Sequence, residues 1–212
     1  MRHVIRSLEW LGLAITDQAA TRTFYDRLFG APCTDGPLLR YPVGDTELRL
    51  YPPASAHGGG RHVHYACSTD AAGYRAYTDA LAAMVPTEEH DLGVYKSTYA
   101  FDPDGHCIEF ADREQAATEI ISLFEIVLEV ASLERSLAWY DRFDPTVMDR
   151  GTARRRVRLD MGPFELELWE PQRGLAGARP GVDVRIGVSL TSTSSVGTVT
   201  DPDGHQWMCS RQ

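Results

Sequence analysis

The residues able to do chemistry in this 212-residue sequence are histidines and glutamates at alternate positions of strand-like runs. They are His64 in RHVHYACST, Glu109 in FDPDGHCIEF, Glu125 in LFEIVLEV and Glu167 in PFELELWEP. Imidazole nitrogen and carboxylate oxygen are the donors a divalent cation accepts, and the groups that move protons near neutral pH. Taken singly, each has an ordinary reading as a hydrogen-bonded core histidine or a charge at the edge of a cleft. Only their assembly at one place would make a site. The four cysteines (Cys33, Cys67, Cys107, Cys209) have no CxxC spacing, and three lie in or beside apolar runs. They are expected as buried, reduced thiols. The cluster Arg154-Arg155-Arg156 with Arg158 is short, and its alternation predicts a solvated strand edge rather than a phosphate site. His106 and His205 follow DPDG turns and are expected to face solvent; His3, His57 and His90 are given no role.

The elements that must carry these residues are repeated. LEWLGLAITDQAATRTFYDRLFG, from Leu8, aligns without a gap on LFEIVLEVASLERSLAWYDRFDP, from Leu123. Each reads as an apolar strand, a helix capped near Asp17 or Ser132, and an aromatic pair, Phe24-Tyr25 or Trp139-Tyr140, for helix-to-sheet packing. Each continues to a hairpin ending in DTELRLYPP or PFELELWEP, where alternation puts charges on one face and leucines on the other. A second pair of segments, RHVHYACST and VRIGVSLTS, leads to FDPDGHCIEF and TDPDGHQWMC. One Asp-Pro-Asp-Gly is only a tight turn. Two of them, each preceded by a matching strand, indicate duplication. Four modules result, at residues 1–60, 61–115, 119–173 and 181–212, with Gly58-Gly59-Gly60 and Gln172 to Gly181 as linkers. The fourth lacks the length that holds the second module's helix, so it is expected as strands alone.

The formal net charge of -9 gives neither a nucleic acid nor an anionic membrane a basic patch to bind. No apolar run approaches the length of a membrane span, and Glu9 interrupts the N-terminal one, so a cytoplasmic location is expected.

The order strand, helix ending FYD or WYD, hairpin, then DPDGH strand resembles the vicinal oxygen chelate superfamily: glyoxalase I, bleomycin resistance proteins and extradiol dioxygenases. HVHYACSTDAAGYRAY followed by YAFDPDGHCIEF carries the likeness best. The resemblance implies an α+β fold of tandem βαβββ modules forming two cupped mixed sheets. It also implies one divalent metal ion (Zn, Ni, Co, Mn or Fe) faced by one residue on each module's first strand and one on its last. Those positions are Trp10 and Arg49, His64 and Glu109, Glu125 and Glu167, and Arg185 and Met208. A slip of two would put Glu47 or Glu165 inward on the same face. Tryptophan, arginine and methionine are poor ligands for such an ion, so the competent positions fall in modules two and three.

Pairing of the modules then decides the function. If neighbours pair, each cup holds half a site, and ion pairs such as Arg49 with Glu109 could replace the metal. If two pairs with three, His64, Glu109, Glu125 and Glu167 share one cup, and Trp10 plugs the other. By resemblance that cup is a glyoxalase-like lyase or isomerase acting on a small molecule with vicinal oxygens through an enediolate, with Glu109 and Glu125 as bases. No residues are assignable to glutathione recognition. Ring-cleavage dioxygenase chemistry needs two histidines and a carboxylate, for which His62 would have to join His64. A metal-free binding or bleomycin-type resistance protein would instead use a groove lined by Trp10, Tyr51, Tyr65 and Trp169; a decayed paralogue acting as an assembly partner is a further alternative. The helix-free fourth module should leave a sheet face needing cover, either from a second copy in a homodimer or from another segment.

Overall fold

A computed structural model describes residues 3–52, 63–113, 122–151, 155–170, 184–191 and 197–211. The expected linkers, together with His57 and His62, lie outside the described residues. The first repeat runs β1 (Ile5–Ala14), α1 (Gln18–Phe29), β2 (Cys33–Asp35), β3 (Leu38–Val43) and β4 (Thr46–Tyr51). The second is β5 (His64–Thr69), α2 (Ala71–Ala82), β6 (Thr87–Asp91), β7 (Lys96–Phe101) and β8 (Cys107–Asp112). The third is β9 (Ser122–Glu129), α3 (Leu133–Tyr140), a 3-10 turn at Asp141–Phe143, β10 (Thr146–Arg150), β11 (Arg156–Asp160) and β12 (Glu165–Trp169). The fourth contributes β13 (Val184–Leu190), β14 (Gly197–Thr200) and β15 (Gln206–Arg211), with no helix among the described residues.

Two mixed sheets result. Sheet A has the order β14-β15-β13-β1-β4-β3-β2, and sheet B has β10-β11-β12-β9-β5-β8-β7-β6. The first repeat therefore joins the fourth through antiparallel β1 and β13, and the second joins the third through antiparallel β5 and β9. Within every repeat the first strand runs parallel to the last.

The helices begin where short polar side chains accept their free backbone N–H groups. Asp17 accepts from Ala19 and Ala20 at 3.0 Å, Asp70 from Gly73 at 2.7 Å and Ser132 from Arg135 at 3.3 Å. One face of each sheet packs against helices in a single hydrophobic core. Tyr77 of α2 stacks on Phe110 of β8 at 4.7 Å, and Phe29 of α1 reaches both. The fourth repeat's sheet face is covered by the third repeat. Trp207 is fully buried against Tyr140, Phe143 and Phe164, with ring centroids at 5.5, 5.2 and 6.5 Å. Of the two covers expected for that face, the structure uses the neighbouring segment.

The DPDG turns are clamps between repeats. Tyr25 donates to Asp102 at 2.8 Å, and Tyr140 donates to Asp201 at 2.6 Å. Two residues further on, Asp104 accepts from Thr16 and Thr21, each at 2.6 Å. Asp203 does the same for Ala131 at 2.9 Å and Ser136 at 3.0 Å. The turn histidines, expected to face solvent, are instead buried. His106 Nδ1 accepts from the Val63 N–H at 3.1 Å while Nε2 donates to the Ala14 carbonyl at 2.9 Å, tying β1 to the start of β5. His205 Nδ1 sits 2.6 Å from Asp201. Three of the four thiols are buried and all are unpaired; Cys33 is exposed.

Candidate functional site

Strand alternation sends His64, Glu109, Glu125 and Glu167 to the face of sheet B that points away from the helices. Their register is common to all repeats. His64 pairs with Cys107, two residues before Glu109, and Glu125 pairs with Glu165, two before Glu167. Trp10 pairs with Glu47, two before Arg49, and Arg185 with Gln206, two before Met208. The eight positions compared across the repeats are therefore structurally equivalent, with His64, Glu109, Glu125 and Glu167 on sheet B and Trp10, Arg49, Arg185 and Met208 on sheet A.

On sheet B the four side chains form two groups. His64 Nε2 lies 2.9 Å from Glu109 Oε2, and Ser97 donates to Glu109 Oε1. Burial works against the charged form of Glu109, but bonds from His64, Ser97 and Tyr99 outweigh it and hold the carboxyl below its ordinary range. Glu125 and Glu167 instead surround a guanidinium. Arg158 lies 3.2 Å from Glu125 and 3.0 Å from Glu167, with Glu165 at 3.6 Å. Arg156 reaches Glu167 at 3.1 Å and Asp149 at 2.7 Å. The Trp169 indole also donates to Glu167. Burial pushes Glu125 up to about 8; Arg158 opposes this, while Glu167, Glu109 and Glu165 reinforce it. Glu125 Oε1 is enclosed and has no hydrogen-bond partner among the described residues, with Arg158 Nε 3.2 Å away.

The arginines are a correction to the expected solvated edge. The tight turn after Asp160 folds β11 onto β12, so Arg158 lies directly opposite Glu167 and Arg156 opposite Trp169. Both side chains are more than two-thirds shielded. This changes what the four expected ligands can hold. Both oxygens of Glu167 are taken by arginine and indole donors, both oxygens of Glu109 by Ser97 and His64, and His64 Nε2 by Glu109. Glu125 Oε1 carries no hydrogen bond, and it lies beside a fixed positive charge. Among the described residues no three His, Cys, Asp or Glu side chains converge as a cation cage. As arranged, the donor set does not fit a divalent ion, because a second cation would displace Arg158 or be repelled by it.

What the arrangement offers is a carboxyl at Glu125 that burial biases toward its protonated form, a carboxylate at Glu109 held by an imidazole, and the Arg158 guanidinium beside Glu125. Arg113 closes one side, over Phe124 at 4.3 Å and bonded to Glu165 at 3.3 Å. Of the expected groove aromatics, Trp169 belongs to this face, and Trp10 and Tyr51 to sheet A. Tyr65 belongs to neither. It is one position out of phase with His64, faces the core, and bonds to Tyr25 at 2.9 Å.

The open face of sheet A has Trp10 at its centre. A Cβ added at Gly187 would lie 2.1 Å from Trp10 Nε1, and one at Gly12 would lie 3.0 Å from Trp10 Cζ3. The indole is therefore laid across two glycines and remains partly exposed, so it floors this cup rather than plugging it.

This architecture, two mixed sheets built from four βαβββ-derived repeats with the middle two paired, is the vicinal oxygen chelate fold. Glyoxalase I from Zea mays has a similar structure, with a TM-score of 0.64 at 15% identity over 96% of this chain and 91% of that one. A candidate dioxygenase from Bacillus subtilis has a TM-score of 0.70 at 12% identity over 98% and 86%. No family model matches the sequence, and no curated protein is detectably similar to it. At these identities the likeness establishes the fold. No helix among the described residues is long and apolar enough to cross a membrane.

Proposed function

We propose that the chain is a metal-independent small-molecule-binding protein, its ligand a compact molecule with adjacent oxygens held on the open face of sheet B. The observation that carries this reading is the Arg158 guanidinium, which contacts Glu125 and Glu167 where the fold resemblance called for a divalent ion. Glu167 holds Nε and Nη2 of Arg158, so a ligand would meet the remaining Arg158 Nη1, the Glu125 carboxyl as a second donor, and the spare lone pairs of the Glu109 carboxylate as acceptors. Such a set matches a diol, a hydroxyketone or a catechol.

A second reading, metal-free acid–base catalysis, is favoured by one feature: the two carboxyls are pushed apart, with Glu109 lowered and Glu125 raised. That is how one site keeps a base and an acid at the same pH. The metal-dependent lyase implied by the resemblance would require Arg158 to leave Glu125 and Glu167 Oε2, whereas Arg156 occupies only Glu167 Oε1. Elemental analysis of freshly purified protein tests the choice, together with thermal scans in Zn2+, Ni2+, Co2+ and Mn2+. No stoichiometric ion, no stabilisation by any of the four, and stabilisation by catechol or hydroxyacetone that is lost in Glu125→Gln support the binding reading. About one ion per chain, with a lower Tm after chelation, refutes it.

A further inference from the structure

We propose that the open face of sheet A is a second, independent site, which binds a small organic carboxylate between Arg185 and Arg49. Gly12 of β1 pairs with Arg185 of β13 on one side and with Arg49 of β4 on the other. The two arginines thus stand in one row of the sheet, on one face, with a glycine between them. Their Cα atoms are two strand spacings apart, roughly 10 Å, a gap that two long side chains close around one carboxylate. Arg185 leans over Tyr51, its guanidinium 4.1 Å from the ring centre, and Arg49 lies over the Trp10 indole at 4.4 Å. Aromatic faces hold both guanidinium groups in place.

Arg185 is the telling residue. Its Nε is enclosed, and among the described residues it has no hydrogen-bond acceptor. Nε itself is closed to a ligand as arranged, but no carboxylate among the described residues pairs with this guanidinium, so its Nη groups are left to bind an anion. The row's neighbouring carboxylate, Glu47, is engaged elsewhere, with Arg40 and with Arg49 at 2.8 Å. Arg40, Arg49 and Arg185 outnumber Glu47 and the Ser210-bound Glu9, which leaves this face positive on a chain of formal net charge -9. Trp10 lies on Gly12 and Gly187 with Arg49 over its other face, so the indole fixes Arg49, and a body attached to the carboxylate would lie beside the ring. The two glycines keep the indole flat, since a side chain at either position would meet Trp10.

Benzoate is a suitable probe, with benzyl alcohol as its uncharged counterpart, read by calorimetry and by tryptophan emission. Benzoate is expected to bind the wild-type chain and to change the emission, and benzyl alcohol to bind about tenfold more weakly or not at all. Trp10→Phe should remove the emission change. Arg185→Met should weaken benzoate binding about tenfold or more, while Arg27→Met, on the exposed side of α1, should leave it unchanged. Equal binding of the two probes, no benzoate binding, or wild-type affinity in Arg185→Met would overturn the proposal. The two-probe comparison uses the unaltered chain, so it decides the matter even if Arg185→Met fails to fold.

Discussion

Replacing Arg158 by methionine tests whether a guanidinium does the work of a metal on sheet B. The change removes contacts to Glu125, Glu167 and Glu165 while keeping most of the aliphatic volume. Removing one partner of a buried ion pair costs about 3–5 kcal/mol. Two features lower that figure here. Glu167 keeps Arg156 and the Trp169 indole, and Glu125, pushed up to about 8, is already mostly protonated at neutral pH. A cost near 2 kcal/mol remains, which for a chain of this size is a fall in Tm of roughly 4–8 °C.

The informative measurement is the response of that variant to divalent ions. With the fixed charge gone, Glu125 and Glu167 regain lone pairs beside Glu109 and His64, so Zn2+, Ni2+ or Co2+ gains a place it lacks in the wild type. An ion at a hundred times its Kd stabilises by about 2.7 kcal/mol, enough to restore the lost Tm. Differential scanning of wild type and Arg158→Met, each with and without the ion, reads the effect directly. If the wild type is stabilised and the variant is not, Arg158 is a bystander and the cation site lies elsewhere in the cup.

Three further outcomes follow from the same contacts. Glu125 is raised from 4.5 to about 8 by burial, so the folded chain holds a proton that the unfolded chain releases between those values. Its contribution to stability is complete below about pH 4.5 and is lost as pH rises through 8, with a slope up to roughly 1.4 kcal/mol per pH unit; in Glu125→Gln the denaturant midpoint should flatten over that window. Tyr25→Phe strands the buried Asp102 and Tyr65 oxygens that its hydroxyl bonds at 2.8 and 2.9 Å, and urea unfolding should show a loss of about 1–3 kcal/mol; a loss below about 0.5 kcal/mol would mean that the turn clamp is dispensable. Gly187→Ala puts a methyl 2.1 Å from Trp10 Nε1, so the indole must leave the floor, with a cost of about 1–3 kcal/mol and a shifted emission maximum; an unchanged spectrum would contradict the flat placement of Trp10.

The parts of the fold that are legible in the sequence are those set by local pattern. The two gap-free repeats, the Asp17 and Ser132 caps and the paired DPDG turns each depend on residues within a few positions of one another, and each stands where the pattern puts it. Burial of the turn histidines is not legible, because their partners are remote. His106 bonds Ala14, 92 positions away, and nothing near Asp-Pro-Asp-Gly signals that contact. The place of Tyr65 is legible after all: if His64 faces the cup, its neighbour on the strand cannot. So are the arginines, since a hairpin turning after Asp160 aligns RVRLD with ELELW and sets Arg158 against Glu167. Counting positions back from the turn finds the pair, whereas inspecting the arginine run alone does not.

That hairpin also explains why one fold can support either a metal or a guanidinium at the same place. The four inward positions of a repeat pair lie on the first and last strands, and the strand that flanks the last one has its own residues on the same face. In the second repeat the flanking residues at this level are Ser97, which donates to Glu109, and Tyr99, which pairs with it across the strands, and neither brings charge. In the third they are Arg156 and Arg158, which bring two charges. The carboxyl groups of Glu125 and Glu167 are the ligands a cation would want, but the positive charge beside them comes from within the sheet. The competence of such a cup for metal is therefore set as much by β11 as by the strands that carry the ligands, and a ligand motif read without its flanking strand overstates it.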